Sequence, residues 1–398
     1  MTTAKLHIAS STHSTDELSS ILAEYTPAPL IAQKQLFGGY SGSSYLVHLQ
    51  DDSKSTFVLK VSNGYTPEGT EFMCRTAHHL GVLGYKDCCL PIPKRTEFCK
   101  DSGSSNNSDD EGDRDQYKFV SLKEQNGVPA FLLSHVEGNQ ADSVIRDNPL
   151  LATAVMRGIG GGLGRMHAAS AGIGKAEALR LGLRWYEKDG GCCDVEDQFL
   201  GKISTKIMQS SARRHDFVPF YVKELKALRT EMQLVKDGTL AVGITHGDPF
   251  ADNVLVNPDT GELSSFIDIE DICCGPLLFD LACCAIGCCF KVSSTGDEDE
   301  KDSRYPQVLD MSLLAALIDG YWADRRLPEV EKQHFVAFMR LTLLCNCCWR
   351  FVKFNVDSAI DNVPEEAKNS YLELKRRIDY LHDVDAVAQI ERLLEEKS

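Results

Sequence analysis

The sequence predicts an α+β chain of two lobes, a small N-terminal one built on an antiparallel β-sheet and a larger, mostly helical C-terminal one. Three observations carry this. Short aromatic and β-branched runs broken by polar turns occupy residues 1–133, helical periodicity dominates 139–398, and a connector at 134–138 joins them. The length of 398 residues is long for a single core and suits two lobes.

Taken in order, "TDELSSILAEY" (15–25) predicts a short helix with Ser14 or Thr15 as N-cap and acids in its first turn. "LFGGYSGSSYLVHL" and "STFVLKVS", separated by "QDDSK", predict an antiparallel hairpin. "EFMCRTAHHLGVL" has helical character. The tract at 100–116 is acidic and free of apolar residues, so a flexible insertion is expected there. "YKFVSL" and "PAFLLSHVEG" then read as strands. Beyond the connector, "NPLLATAVMRGIGGGLGRMHAAS" carries helical spacing. Its glycines lie inside that pattern with no strand before them, so close helix packing explains them better than a phosphate loop. "FVPFYVKELKALRTEMQLV" predicts one further helix, and the chain from "MSLLAALIDGYW" to its end is read as helical. A second acidic tract, 293–303, is expected to be a surface loop.

Composition narrows the class. Hydrophobic residues at 43% and charged residues at 25% are ordinary for a globular protein. A net charge of −16 argues against a nucleic-acid backbone as partner. No apolar run is read as membrane-spanning and the N-terminus lacks a secretory apolar core, so a cytoplasmic protein without a membrane partner is expected. Many of the 15 cysteines come as adjacent pairs, which suits neither local disulfides nor a zinc knuckle. They are expected to be reduced thiols packed as small apolar residues, with "FDLACCAIGCCF" forming a buried helix.

The chemistry concentrates in "ITHGDPFADNVLV", flanked by β-like runs. His246, Asp248 and Asn253 form H-x-D-x-x-x-x-N, and Asp268 follows at the end of "SSFID". A strand pair with a tight turn is expected to bring these side chains to one end. An amide and a carboxylate there suit a divalent cation, Mg²⁺ preferring hard oxygen donors. Asp248 then remains to accept the proton of a substrate hydroxyl. Phosphoryl transfer needs that set and a cation on the phosphates. Lys60 in "FVLKVS" is the candidate cation, and "FGGYSGSSY" offers backbone N–H groups and hydroxyls to phosphate oxygens.

The order of these parts is that of a kinase-type active site. "HGDPFADNVLV…FIDIEDICCGPLLFDLA" resembles the catalytic segment of the aminoglycoside phosphotransferase and choline kinase superfamily, whose fold is protein-kinase-like and bilobal. Gly247 before the catalytic Asp, and Asp268-Ile269-Glu270 in place of D-F-G, favour the small-molecule branch. "ILAEY", "GGYSGSSYLVHL", "PAFLLSHVEG", "GGGLGRMHAAS" and "GPLLFDLA" are similar, in the same order, to type II homoserine kinases. The resemblance runs from about Leu18 to Phe354.

The resemblance implies ATP and Mg²⁺ as cofactors and γ-phosphate transfer to a hydroxyl of a small amino acid or amino alcohol. Homoserine, phosphorylated in threonine biosynthesis, is the first candidate. By the same resemblance Asp248 is the catalytic base, Asn253 and Asp268 are metal ligands, and Lys60 anchors phosphate. Gly39, Ser41, Gly42, Ser43 and Ser44 line the phosphate loop, while Ser134 and Val136 offer backbone groups to adenine. His246 and Asp280 brace the catalytic loop. A helix glutamate commonly pairs with the strand lysine in this family. The expected position holds Arg75, and Glu71, one turn earlier on about the same face, is nominated instead. Glu270 and Asp271 either meet a substrate ammonium or are solvated. Hydroxylysine, choline or ethanolamine, and methylthioribose kinases are alternatives, as is a nonenzymatic pseudokinase. A protein kinase fits less well, because no A-P-E-like segment follows Asp268.

Overall fold

A computed structural model describes residues 13–36, 42–50, 55–62, 64–98, 119–123, 127–186, 216–292, 307–357 and 363–396. The two acidic tracts, 100–116 and 293–303, lie outside them. The chain divides into two compact units: Met1–Glu137, Lys175–Arg184 and Ser265–Ile272 form the smaller, and the remainder forms the larger. A single cut at 134–138 does not anticipate that the smaller unit takes these two later segments.

The smaller unit is built on a five-stranded antiparallel sheet of β1 (Leu30–Leu36), β2 (Gly42–Leu49), β3 (Thr56–Ser62), β4 (Val120–Ser121) and β5 (Ala130–Ser134), in the order β1-β2-β3-β5-β4. Alternation along β2 turns Tyr45, Val47 and Leu49 to one face. They join Leu59, Val61, Ala130 and Leu132 in a core closed by Leu18, Ile21, Leu22 and Tyr25. Those four come from helix α1 (Thr15–Leu22) and its exit, and each fully buried aliphatic side chain contributes about 1.5–3 kcal/mol. Ser14 caps α1: its Oγ accepts from the N–H of Glu17, whose carboxylate accepts the N–H of Ser14 in return.

Helix α2 (Pro67–Val82) is fixed to the sheet by Glu71, whose Oε2 accepts the N–H groups of Phe119 and Val120 at 2.9 and 3.1 Å. The two late segments attach to this helix and its exit. The Arg184 N–H donates to Thr76 Oγ1 at 2.8 Å. The Phe266 N–H donates to the Asp87 carbonyl, and the Cys89 N–H to the Phe266 carbonyl.

In the larger unit, helix α3 (Ala152–Ser170) packs against a partner helix, Met311–Trp322, at backbone contact distance. A Cβ on Gly160 would lie 2.0 Å from the Leu317 carbonyl oxygen, and one on Gly164 2.6 Å from that of Tyr321. The glycine run therefore serves helix packing, as its place in a helical pattern predicts. Strand β6 (Val242–Thr245) pairs antiparallel with the later strand Cys273–Pro276, while β7 (Val254–Val256) pairs with Asn139–Gln140. The two strands flanking the polar motif thus do not make the strand pair expected of them. Each is held by a different partner.

Helix α4 (Leu277–Cys288) is apolar and buried from Leu277 to Ile286. The described cysteines are free thiols, all buried except the half-buried Cys288. Helix α5 is the Met311–Trp322 helix, and α6 (Glu329–Val352) follows it. The stretch Glu329–Val356 is long and apolar enough to cross a membrane by length and composition, a point the reading of the sequence missed. Of its most apolar segment, 61% is buried inside the protein, where Phe351 stacks on Phe217 with centroids 4.1 Å apart. The helix expected over 217–235 is two helices, Phe217–Ala227 and Arg229–Lys236, broken at Leu228.

Candidate active site

Lys60 lies on β3 with Ser44 of β2 opposite it on one side and Phe131 of β5 on the other. Neighbours on both sides fix the strand, and hence the side chain's exit face. Its Nζ is 2.8 Å from Asp268 Oδ1 and 3.1 Å from Glu270 Oε1, joining positions 208 apart in sequence. Burial works against the Lys60 charge, but Asp268 and Glu270 more than offset it and hold its pKa above the ordinary lysine value.

Asp268 has φ 61° and ψ 68°, the one non-glycine residue with positive φ among the described residues. That conformation costs on the order of 1–2 kcal/mol for a residue with a Cβ. It lies two residues beyond the strand Leu263–Phe266 and immediately precedes the short turn Ile269–Asp271. The turn is held from three directions. Ser62 Oγ donates to Glu270 Oε1 at 3.3 Å, Arg184 Nη1 to the Glu270 carbonyl at 2.7 Å, and Tyr65 Oη to Asp271 Oδ1 at 3.1 Å. The buried Arg184 guanidinium also lies over the Tyr65 ring, 5.3 Å from its centroid.

This arrangement corrects five expectations. Glu71 is not the partner of Lys60: its Oε1 pairs with Arg75 at 3.2 Å and its Oε2 takes the two β4-side N–H groups. Ser43 is buried on the same face of β2 as Tyr45, toward the apolar core, so it does not line a phosphate loop; Ser44 shares the Lys60 face. Gly42 belongs to the ladder, opposite Ser62. The Ser134 N–H is spent on the Leu90 carbonyl at 2.9 Å, and its Oγ accepts the Leu90 N–H, so that N–H is not available to a base. Glu270 is neither solvated nor open to an ammonium, because it is buried against Lys60. Val136 follows the end of β5 in irregular backbone. Gly39 and Ser41 lie outside the described residues.

In the larger unit, His246 to Asn253 form a compact turn after β6. Gly247 takes φ 88°, a conformation in which an arginine would be strained. The Phe250 N–H donates to the Asp248 carbonyl, and Asn253 closes a single turn of 3₁₀ helix, Ala251–Asn253. Asn253 Nδ2 donates to Asp248 Oδ2 at 2.9 Å and to its carbonyl at 3.0 Å. With the amide nitrogen committed to Asp248, Oδ1 is the Asn253 atom available to a cation. Asp248 itself is half-buried, and its N–H donates to His246 Nδ1 at 3.3 Å.

Asp280, on α4, underlies this turn. Its Oδ2 accepts the His246 N–H at 2.8 Å and its Oδ1 the Gly247 N–H at 2.9 Å. His167 of α3 bonds Asp280 Oδ2 through Nε2 at 3.0 Å and the Tyr321 hydroxyl through Nδ1 at 2.7 Å. Arg325 then donates to Tyr321 Oη and to Glu331. Burial acts to raise the Asp280 pKa, but these bonds and the nearby imidazoles bring it below the ordinary aspartate value. The thiols of Cys283 and Cys288 lie 3.7 Å from the carbonyls of Gly247 and Pro249, so α4 contacts the turn along its length.

Sequence reasoning singled out none of His167, Tyr321, Arg325, Arg184, Tyr65 or Ser62. For His167 a signal existed in "GRMHAAS", a buried-helix histidine beside the glycines. The others stand in ordinary surroundings that announce nothing.

The donor types, one in each unit, suit a hard divalent ion. The Asn253 amide oxygen and the Asp268 carboxylate are the oxygen type Mg²⁺ prefers, and that ion keeps waters and takes further ligands from substrate phosphates. No group of three or more His, Cys, Asp or Glu at metal-holding spacing occurs among the described residues.

Comparison with known proteins bears on this geometry. Residues 32–329 match the phosphotransferase enzyme family. The homoserine kinase of Allorhizobium ampelinum is 26% identical over 94% of this chain and 95% of that protein. That of Bradyrhizobium diazoefficiens is 25% identical over 80% and 78%. Among solved structures, a microcompartment-associated aminopropanol kinase superposes with a TM-score of 0.56 at 15% identity, covering 96% of this chain and 100% of that one. Amicoumacin kinase, solved in complex with AMP-PNP, Ca²⁺ and Ami, gives 0.57 at 11% over 92% and 93%. These two likenesses show the bilobal α+β kinase-like fold.

Proposed function

The chain belongs to the phosphotransferase enzyme family and is a phosphotransferase acting on a hydroxyl group of a small molecule, and from that premise we propose that it phosphorylates homoserine, with ATP as donor and Mg²⁺ as cofactor. The observation that supports the proposal is the Lys60–Asp268 pair, a buried lysine ammonium held 2.8 Å from a carboxylate 208 positions away, which suits a cation for phosphate beside a donor for metal. The choice of homoserine rests on relatives of that name matched over 94% and 80% of this chain.

The residues divide the work. Asp248 accepts the proton of the acceptor hydroxyl as that oxygen bonds to the γ-phosphorus and the bond from the γ-phosphorus to the β,γ-bridging oxygen breaks, ADP leaving with the electron pair. Its hydrogen bond from Asn253 fixes the carboxylate's direction, leaving proton acceptance to lone pairs the amide does not use. Lys60 would place positive charge on the phosphates, and Asn253 and Asp268 are the residues that would supply oxygen ligands to the cation. A bound Mg²⁺ would supply neutralisation of the charge developing on the transferred group. Asp280 and His246 hold the backbone of the turn, and neither exchanges a proton with substrate. A cytoplasmic location suits an enzyme of amino-acid biosynthesis.

The test is a panel of homoserine, hydroxylysine, ethanolamine, choline and methylthioribose, each with ATP and Mg²⁺, read by ³¹P NMR of the product. Homoserine is expected to give O-phosphohomoserine with the highest kcat/KM. A higher kcat/KM for any other acceptor overturns the substrate assignment, and transfer to none overturns the activity.

A further inference from the structure

We propose that Glu270 is the residue that positions Lys60 for the phosphates of the nucleotide, taking the part expected of a helix glutamate. The inference rests on the reading of Lys60 as a phosphate anchor. Three observations carry it.

Lys60 has two carboxylate partners of different character. The Asp268 side chain is 35% exposed, whereas that of Glu270 is 8% exposed. A cation can therefore reach Asp268, and Glu270 is closed in. Once Asp268 turns its charge toward a cation, Lys60, itself 9% exposed, keeps a buried counter-charge only if Glu270 stays in place.

Glu270 is also built to stay. Ser62, two residues beyond Lys60 on β3, donates to the same Glu270 oxygen that faces Lys60, and Arg184 fixes the Glu270 backbone through its carbonyl. Tyr65 pins the next residue through Asp271. Finally, the helix alternative is closed, since both Glu71 oxygens are engaged by Arg75 and the N–H groups of Phe119 and Val120. Glu270 is thus a positioning residue acting through Lys60. It is neither a second metal ligand nor a recognition site for a substrate ammonium.

The experiment measures ATP binding by calorimetry, in Mg²⁺ and separately in chelator, for wild type, Glu270→Gln, Lys60→Met and the double variant, with steady-state KM for both substrates. Glu270→Gln is expected to weaken ATP binding about tenfold under both conditions and to leave the acceptor KM within about twofold. In the Lys60→Met background it is expected to add less than about twofold, as residues acting through one group are non-additive. Glu270→Asp keeps the charge and guards against a folding defect; it is expected to bind ATP within about threefold of wild type. A loss confined to Mg²⁺ makes Glu270 a metal ligand and overturns the proposal, as does a rise in acceptor KM with ATP binding unchanged. Additive losses in the double variant, or a loss in Glu270→Asp as large as that in Glu270→Gln, also overturn it. A wild-type chain that binds no nucleotide under either condition overturns the functional reading itself. A wild type that binds normally beside an unaffected Glu270→Gln overturns this proposal alone.

Discussion

His167 Nε2 lies 3.0 Å from Asp280 Oδ2, and that same oxygen accepts the backbone N–H of His246. A helix histidine is thereby connected, through one carboxylate, to the backbone two residues before the proposed catalytic base. All three residues are fully buried, so the connection is made where water cannot replace it. Asp280→Asn is expected to turn an amide N–H toward one of these N–H groups and leave a buried donor unpaired. A loss of about 2–4 kcal/mol in urea unfolding is predicted, with kcat falling and ATP binding intact. Unchanged stability would remove Asp280 from this role.

The same carboxylate predicts a pH dependence. The Asp280 pKa in the folded chain lies below the ordinary value of 3.8, so the folded state favours the ionised form. Its contribution is fully present above about pH 4 and is lost as pH falls through the folded value. The stability gap between wild type and Asp280→Asn should therefore be flat from pH 5 to 7 and narrow below about pH 4. A gap that widens on acidification contradicts the direction.

The glycines of α3 predict a contrast between neighbours. Gly160→Ala places a Cβ 2.0 Å from the Leu317 carbonyl oxygen and is expected to cost about 1–3 kcal/mol despite alanine's higher helix propensity. At Gly161 the nearest atom outside the glycine's own surroundings is the flexible end of Arg165 at 3.2 Å, so Gly161→Ala should be neutral or stabilising. Thermal unfolding of the two variants checks this, and equal effects would argue against close helix contact.

Glu71→Gln should leave the KM for ATP within about twofold, because Glu71 serves α2 and β4 and not Lys60. A stability loss of about 1–2 kcal/mol from its two N–H acceptors is expected. A large rise in the KM for ATP would restore the helix glutamate to the pairing.

Asp268→Ala should weaken nucleotide binding in Mg²⁺ and have a much smaller effect in chelator, where Glu270 still accompanies Lys60. Titrations in the two buffers measure this, and equal weakening in both would count against a metal role for Asp268.

What was readable from sequence follows the range of the signal. The helix expected over 15–25, the β2–β3 hairpin and the packing role of Gly160 and Gly164 rest on local periodicity and turn chemistry, and the structure has them, the helix ending earlier, at Leu22. Strand β1 was not foreseen, because "LIAQKQL" lacks a clean alternation and Ile31 is 60% exposed. The break at Leu228 has no glycine or proline to mark it. Lys60 and Asp268 stood out by residue type and order. That Glu270 shares Lys60, and that β6 and β7 take separate partners, depends on pairings between distant positions, about which periodicity is silent. Ser43 was misplaced by one step of the strand's alternation, enough to turn it from the Lys60 face to the core.

The central claim is that Asp248 accepts the proton from an acceptor hydroxyl in ATP-dependent phosphoryl transfer. The most direct measurement is the kcat of Asp248→Ala with the preferred acceptor, alongside its affinity for ATP. The account predicts a fall of about 10²–10⁴-fold in kcat with ATP affinity within about threefold of wild type. Turnover near the wild-type rate in that variant would contradict it.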